Sequence, residues 1–168
     1  FCYNHFTAKK LYNFVLNIIK NIICKKKLKM ITKNKILIGI ATYNECENIT
    51  KLIERINKIN KIDFDILIVD DNSPDKTSLK VKDLQKNNSN LLLITRNGKF
   101  GLGSAHKRIF HFAKIHKYDA LITMDADFSH PPDLINEFIK QNDHNTFIIG
   151  SRYTKGGSTD YIGYRKYV

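Results

Sequence analysis

Acidic residues are missing from the first quarter of this 168-residue chain, none occurring before Glu45. Lysine accumulates at its start, the residues up to Lys29 carrying seven (positions 9, 10, 20, 25, 26, 27 and 29), and removing those seven leaves +5 of the formal net charge of +12. The basicity that would suggest a nucleic-acid partner is thus concentrated in an N-terminal arm, and the body is only mildly basic. Cysteine is scarce. Cys2, Cys24 and Cys46 are odd in number, far apart and without a Cys-x-x-Cys pair, so neither a disulfide framework nor a zinc site is indicated and a reducing compartment fits best. Long hydrophobic runs are missing as well. The stretch from Leu11 to Cys24 is broken by Asn13, Asn17, Lys20 and Asn21, falls short of the roughly 20 apolar residues that span a bilayer, and lacks a following small-residue cleavage site. As a helix it would be amphipathic and lysine-flanked, suited to an anionic membrane surface. The chain does not start with Met, and Met30 stands just before the first regular pattern, so residues 1–34 read as a basic extension, poorly ordered or not native. Two nucleotide-binding signatures are also absent. There is no Gly-x-x-x-x-Gly-Lys-Ser/Thr, and no Gly-x-Gly-x-x-Gly opens the first helix.

What is present, 42% hydrophobic and 26% charged residues, is ordinary for one globular domain with a sizeable core. A continuous apolar run at Ile36–Ala41 and an apolar stretch at Phe64–Val69, broken only by Asp65, read as buried strands, and Leu91–Ile94, Ala120–Met124 and Phe147–Ile149 as a third, fourth and fifth. Between them lie helical patterns. Asn48 is placed to cap the first, whose Ile49, Leu52, Ile53, Ile56 and Ile59 repeat at three-four spacing. The second is expected from about Lys76 to Lys86 with Leu79 and Leu84 inward, the third carries Ala105, Ile109, Phe112 and Ala113, and the fourth follows Pro131-Pro132 with Leu134, Ile135 and Phe138. Strands alternating with helices at this spacing predict an α/β fold, an open, mostly parallel sheet with helices on both faces.

In such sheets ligands bind beyond the carboxyl ends of the strands. Every polar cluster here follows a strand: Glu45, Asp70 and Asp71, Arg96 and Lys99, Asp125 and Asp127, and Arg152. Met alone, each is a turn, a helix start or a solvated loop; together they ring one edge. Asp125 and Asp127, two apart at a strand end, are placed to share one hard cation with oxygen ligation, Mg2+ or Mn2+, although an isolated Asp-x-Asp is more often an acidic turn. A cleft mixing carboxylates and basic groups suits a polyanionic, metal-bound substrate such as a nucleoside diphosphate. His106, His111 and His116 read as surface or satisfied histidines, and Ser129-His130 lacks the orienting acid of a nucleophile and base pair.

Five segments in order carry a family resemblance: Ala41-Thr42-Tyr43-Asn44-Glu45; Val69-Asp70-Asp71-Asn72-Ser73-Pro74-Asp75; Arg96-x-x-Lys99-x-Gly101-Leu102-Gly103-Ser104-Ala105; Met124-Asp125-Ala126-Asp127-Phe128-Ser129-His130-Pro131-Pro132; and Gly150-Ser151-Arg152-Tyr153. From Lys35 onward the chain resembles the inverting GT-A glycosyltransferases of the dolichol-phosphate mannose synthase type. The resemblance implies a GT-A domain over residues 35–168, incomplete at its C-terminus because relatives continue beyond Val168. It implies Tyr43, Glu45 and Asp70 on the base and ribose of a GDP-mannose donor, Asp71 as a further candidate in that pocket, and Lys99 on the donor's charge. Asp125 and Asp127 would hold Mg2+ or Mn2+ on the diphosphate, with Ser129 as a possible third ligand. Arg152 would bind the phosphate of a polyprenyl (dolichyl) acceptor, and Arg165, eight residues after Gly157, is a second acceptor-phosphate candidate. Tyr161 departs from the family, many of whose members carry Trp near this place. Asp127, Arg152 and Arg165 would thus be the catalytic set. The expected setting is the cytosolic face of a membrane, in peripheral contact, with no nucleic acid. The alternatives are UDP-glucose or another sugar nucleotide used with undecaprenyl phosphate, or a truncated nucleotide-binding module without catalysis.

Overall fold

A computed structural model describes residues 35–59, 63–142 and 146–151. Four strands form one fully parallel sheet in the order β3-β2-β1-β4: β1 is Ile36–Thr42, β2 Phe64–Asp70, β3 Leu91–Thr95 and β4 Ala120–Met124. The helices are α1 (Ile49–Asn57), α2 (Thr77–Gln85), α3 (Leu102–Ile115) and, after a 3-10 turn at Pro132–Leu134, α4 (Ile135–Gln141). Among the described residues no helix is long and apolar enough to cross a membrane.

Strand alternation divides the core in two. Ile36, Ile38 and Ile40 of β1, with Ile66 and Ile68 of β2, face Ile49, Leu52, Ile53 and Ile56 of α1, Val81 of α2 and Ile135 of α4. Leu37, Leu67 and Val69 point the other way, onto Ala105, Ile109 and Ala113 of α3. Both central strands are therefore buried on both faces, which is why, Asp65 apart, they read as apolar runs up to Ala41 and Val69. Gly39 lies where α3 crosses β1: a Cβ there would stand 2.3 Å from Ile109 Cγ2, so only glycine lets the helix approach this closely.

Three expectations are corrected. Asn48 precedes α1, but its side chain makes no cap bond; its Nδ2 donates to Glu45 Oε2 at 2.8 Å, while the N–H groups of Asn48 and Ile49 both donate to the Glu45 carbonyl. In α2 the inward residues are Thr77 and Val81, with Leu84 half-buried, while Leu79 is 54% exposed. At 100° per residue Leu79 lies about 200° from Thr77, and Thr77 is fixed inward by its hydrogen bonds to Asp75 and Glu45. The fifth strand does not form: residues 146–151 have no regular structure, and Phe147 and Ile149 are 89% and 75% exposed. An apolar triplet becomes a strand only with a neighbour for its backbone groups, and among the described residues β4, at the sheet edge, pairs only with β1. The N-terminal extension, residues 1–34, lies outside the described residues.

Candidate active site

The chain runs from β1 to β3 by helices on one face, then returns on the other face through α3 to place β4 beside β1. The reversal at β1 puts the loops after β1 and β4 next to each other, the position where open α/β sheets bind ligands.

The loop after β2 is the scaffold of this edge. Asp70 is fully buried, and its carboxylate accepts from Thr42 Oγ1 at 2.9 Å, from the Ser73 N–H at 3.0 Å and from Ser73 Oγ. Three successive N–H groups after β1 then dock on side chains of this loop: Asn44 on Ser73 Oγ at 3.0 Å, Glu45 on Thr77 Oγ1 at 3.0 Å and Cys46 on Asp75 Oδ2 at 2.9 Å. Partial burial pulls the Asp75 carboxyl upward, but the Thr77 hydroxyl and the N–H groups of Cys46 and Thr77 outweigh it and hold the group below its ordinary value. Asn44 and Asn72 turn the two loops in the left-handed region, at φ 62° and 54°, which asparagine tolerates better than most residues.

The loop after β3 is clasped to the same scaffold. Arg96 Nε and Nη2 both meet Asp71 Oδ1, and Asp71 Oδ2 accepts from the N–H groups of Phe100 and Gly101 at 2.9 and 3.0 Å. With side chains only 12% and 5% exposed, this pair is nearly dry. Arg96 also donates to Ser104 Oγ and to the Gly101 carbonyl, tying the start of α3 to β3. Between the clasped ends, Lys99 is exposed and places its Nζ 3.9 Å from the centre of the Tyr43 ring.

Past the end of β4 the strand alternation continues. Met124 and Ala126 are buried at 4% and 3%, so Asp125 and Asp127 turn outward on either side of Ala126. Phe128 then reverses the backbone at φ 64°, a costly value for a bulky residue. The bend brings the Ser129 N–H to Asp127 Oδ1 at 3.0 Å. The hydroxyl and N–H of Ser129 hold the Asp127 carboxyl below its usual range, with partial burial opposing and His130 assisting. His130 Nδ1 accepts the Asp125 N–H at 3.0 Å, which puts the neutral ring's proton on Nε2.

Among the described residues, no three His, Cys, Asp or Glu side chains are placed to hold a metal ion. Two outward carboxylates nevertheless suit a hard cation that takes its other ligands from water and substrate phosphates.

The structure thus gathers Tyr43, Glu45, Lys99, Asp125, Asp127 and Ser129 at one edge of the sheet, with Asp70 and Asp71 beneath them, buried and hydrogen-bonded. Arg152 and Arg165 lie outside the described residues. Arg96, expected at this edge with Lys99, is there as the clasp on Asp71. Ser73, Asp75 and Thr77 build the edge without having been singled out as site residues; for Ser73 and Asp75 the density of turn formers in Asp-Asn-Ser-Pro-Asp was the sequence signal. A surface groove of about 610 Å3, lined by Lys51, Glu54, Arg55, Lys58, Ile59, Asp133 and Asn136, lies beside α1 and contains none of the site residues.

The sequence profile described as "Glycosyl transferase family 2" matches residues 37–167. A dolichol-phosphate mannosyltransferase of Pyrococcus furiosus is 39% identical over 137 residues, which are 80% of this chain and 38% of that protein. A polyprenol monophosphomannose synthase of Mycolicibacterium smegmatis is 34% identical over 134 residues, 79% of this chain and 50% of that protein. The chain therefore spans half or less of the length of these curated relatives. In fold it is similar to a mannosyltransferase from Pyrobaculum calidifontis, solved in complex with GDP-Man and Mn2+, with a TM-score of 0.50 and 21% identity over 55% of this chain and 27% of that one.

Proposed function

The chain belongs to glycosyl transferase family 2, and from that premise we propose that it carries the donor-binding part of an inverting, metal-dependent mannosyltransferase. Its donor is GDP-mannose and its acceptor a polyprenyl phosphate of the dolichyl type. The observation that carries this reading is the outward pair Asp125 and Asp127, presented by the buried Ala126 at the strand-order reversal. The two curated relatives, at 39% and 34% identity, support the sugar and the acceptor class.

Tyr43 and Glu45 face the donor's base and ribose, on a loop whose N–H groups are tied down by Ser73, Thr77 and Asp75. Asp70 and Asp71 act beneath that pocket by fixing its walls. Asp125 and Asp127 would hold the Mg2+ or Mn2+, with Ser129 as a third candidate ligand whose hydroxyl and N–H also lower the Asp127 carboxyl. The bound cation would supply Lewis-acid stabilisation of the departing diphosphate. No general base is needed, because the acceptor phosphate is already an anion and attacks the anomeric carbon directly, opposite the leaving group, with inversion. What the protein contributes is position and charge: Lys99 toward the donor, and Arg152 and Arg165 toward the acceptor phosphate. The work is done at the cytosolic face of a membrane, where the lipid acceptor lies.

Calorimetry tests the donor half. GDP should bind more tightly than UDP, and only with Mg2+ or Mn2+ present. Equal, metal-independent binding of the two nucleotides would remove the assignment.

A further inference from the structure

The loop after β3 is fixed at both ends and free in the middle. Arg96 is held by Asp71 and Ser104, and the N–H groups of Phe100 and Gly101 are held by the same Asp71 carboxylate. Among the described residues no hydrogen bond fixes Asn97, Gly98 or Lys99. Gly101, at φ +87°, supplies a turn on one side and Gly98 a second flexible position within the tip. The tip carries one charge, and it rests on a ring: Lys99 Nζ lies 3.9 Å from the centre of Tyr43. That ring belongs to a loop with three N–H groups pinned from below, so it is the fixed partner and the lysine the movable one.

We propose that Lys99 is a parked cation: in the empty site it covers the face of Tyr43, and nucleotide binding displaces it. The purine then takes the ring face, and the freed ammonium turns to the diphosphate. This rests on the reading of Tyr43 as part of the base pocket. The exchange is chemically balanced, since a cation over an aromatic ring is replaced by a stacked base, and the cation recovers an anionic partner. Its consequence is selectivity for the whole donor. A nucleoside must evict Lys99 without offering it a new partner, whereas a nucleoside diphosphate evicts it and rehouses it.

The prediction is a change of sign. In Lys99→Met, which keeps the stem and removes the charge, guanosine should bind about two- to fivefold more tightly than to the wild type, the worth of the lost cation–ring contact. GDP should bind about tenfold or more weakly, from loss of a charge-assisted contact. Lys99→Arg should keep the wild-type order for both ligands, and in Tyr43→Leu the gain for guanosine on removing Lys99 should vanish. Ligand-observed NMR titration of guanosine, with GDP and Mg2+ by calorimetry, reads all four. If Lys99→Met weakens guanosine and GDP alike, or leaves guanosine unchanged, parking is wrong while the nucleotide site stands. If the wild type binds neither ligand, the nucleotide reading itself fails and parking falls with it.

Discussion

Replacing Arg96 by Met isolates the strongest claim about how the site is built. The substitution preserves most of the side chain's length and removes two contacts to Asp71 Oδ1, the bond to Ser104 Oγ and the bond to the Gly101 carbonyl. It leaves the Asp71 carboxylate, only 5% exposed, with the N–H groups of Phe100 and Gly101 as its remaining partners. Stranding one member of a buried pair costs about 3–5 kcal/mol. With a urea dependence of about 2 kcal/mol per M, the unfolding midpoint should fall by about 2 M. Because the cost is mainly that of the stranded charge, removing both partners, Asp71→Leu with Arg96→Met, should be less damaging than the sum of the single changes. Asp71→Asn should in addition speed amide exchange at Phe100 and Gly101, whose N–H groups lose an anionic acceptor. Urea unfolding of the wild type, Arg96→Met, Asp71→Leu, the double variant and Asp71→Asn is the assay. A loss below about 0.5 kcal/mol for Arg96→Met, the range of exposed ion pairs, would refute the idea of a dry clasp. A GDP-affinity defect without a stability defect in Asp71→Asn would instead place that carboxylate on the nucleotide.

Gly39→Ala should cost about 1–3 kcal/mol by overpacking, since its Cβ would meet Ile109 Cγ2 at 2.3 Å, and part of that loss should disappear in an Ile109→Ala background; thermal denaturation reads both. Asp75 has a carboxyl lowered in the folded state, so its stabilising contribution is present above the unfolded value near pH 4 and is lost as pH falls through the folded value. The stability gap between wild type and Asp75→Asn, measured by urea unfolding, should therefore narrow from pH 6 to pH 3, and a constant gap would contradict the assignment. Asp127→Ala, at an exposed position, should leave folding stability within about 0.5 kcal/mol and abolish metal-dependent GDP binding.

Burial and alternation made most of this fold legible in advance. Strands buried on both faces announce themselves as apolar runs, and α1 as three-four spacing, because one constraint, exclusion from water, acts on each position separately. The orientation of α2 was not legible that way. It depends on Thr77 being bonded to Asp75 and to the Glu45 N–H, a contact between loops far apart in sequence, which outweighed the outward Leu79. The triplet Phe147–Ile149 misled for a related reason: apolar character favours burial, but a strand also needs a neighbour, and that lies in the topology. At the site, the outward pairing of Asp125 and Asp127 could be read from their spacing. The division of labour between the two consecutive aspartates of the second loop could not. Asp70 pins its own turn and Asp71 holds the next loop, and only the fold decides which neighbour each one meets.

Transfer of radiolabelled mannose from GDP-mannose to dolichyl phosphate, followed as organic-extractable label, tests the central claim most directly. The full-length protein should transfer label with Mg2+ or Mn2+, lose the activity to a chelator, regain it on adding the metal, and show none as Asp127→Ala. Absence of transfer by the full-length protein, or transfer that survives both the chelator and Asp127→Ala, would contradict it.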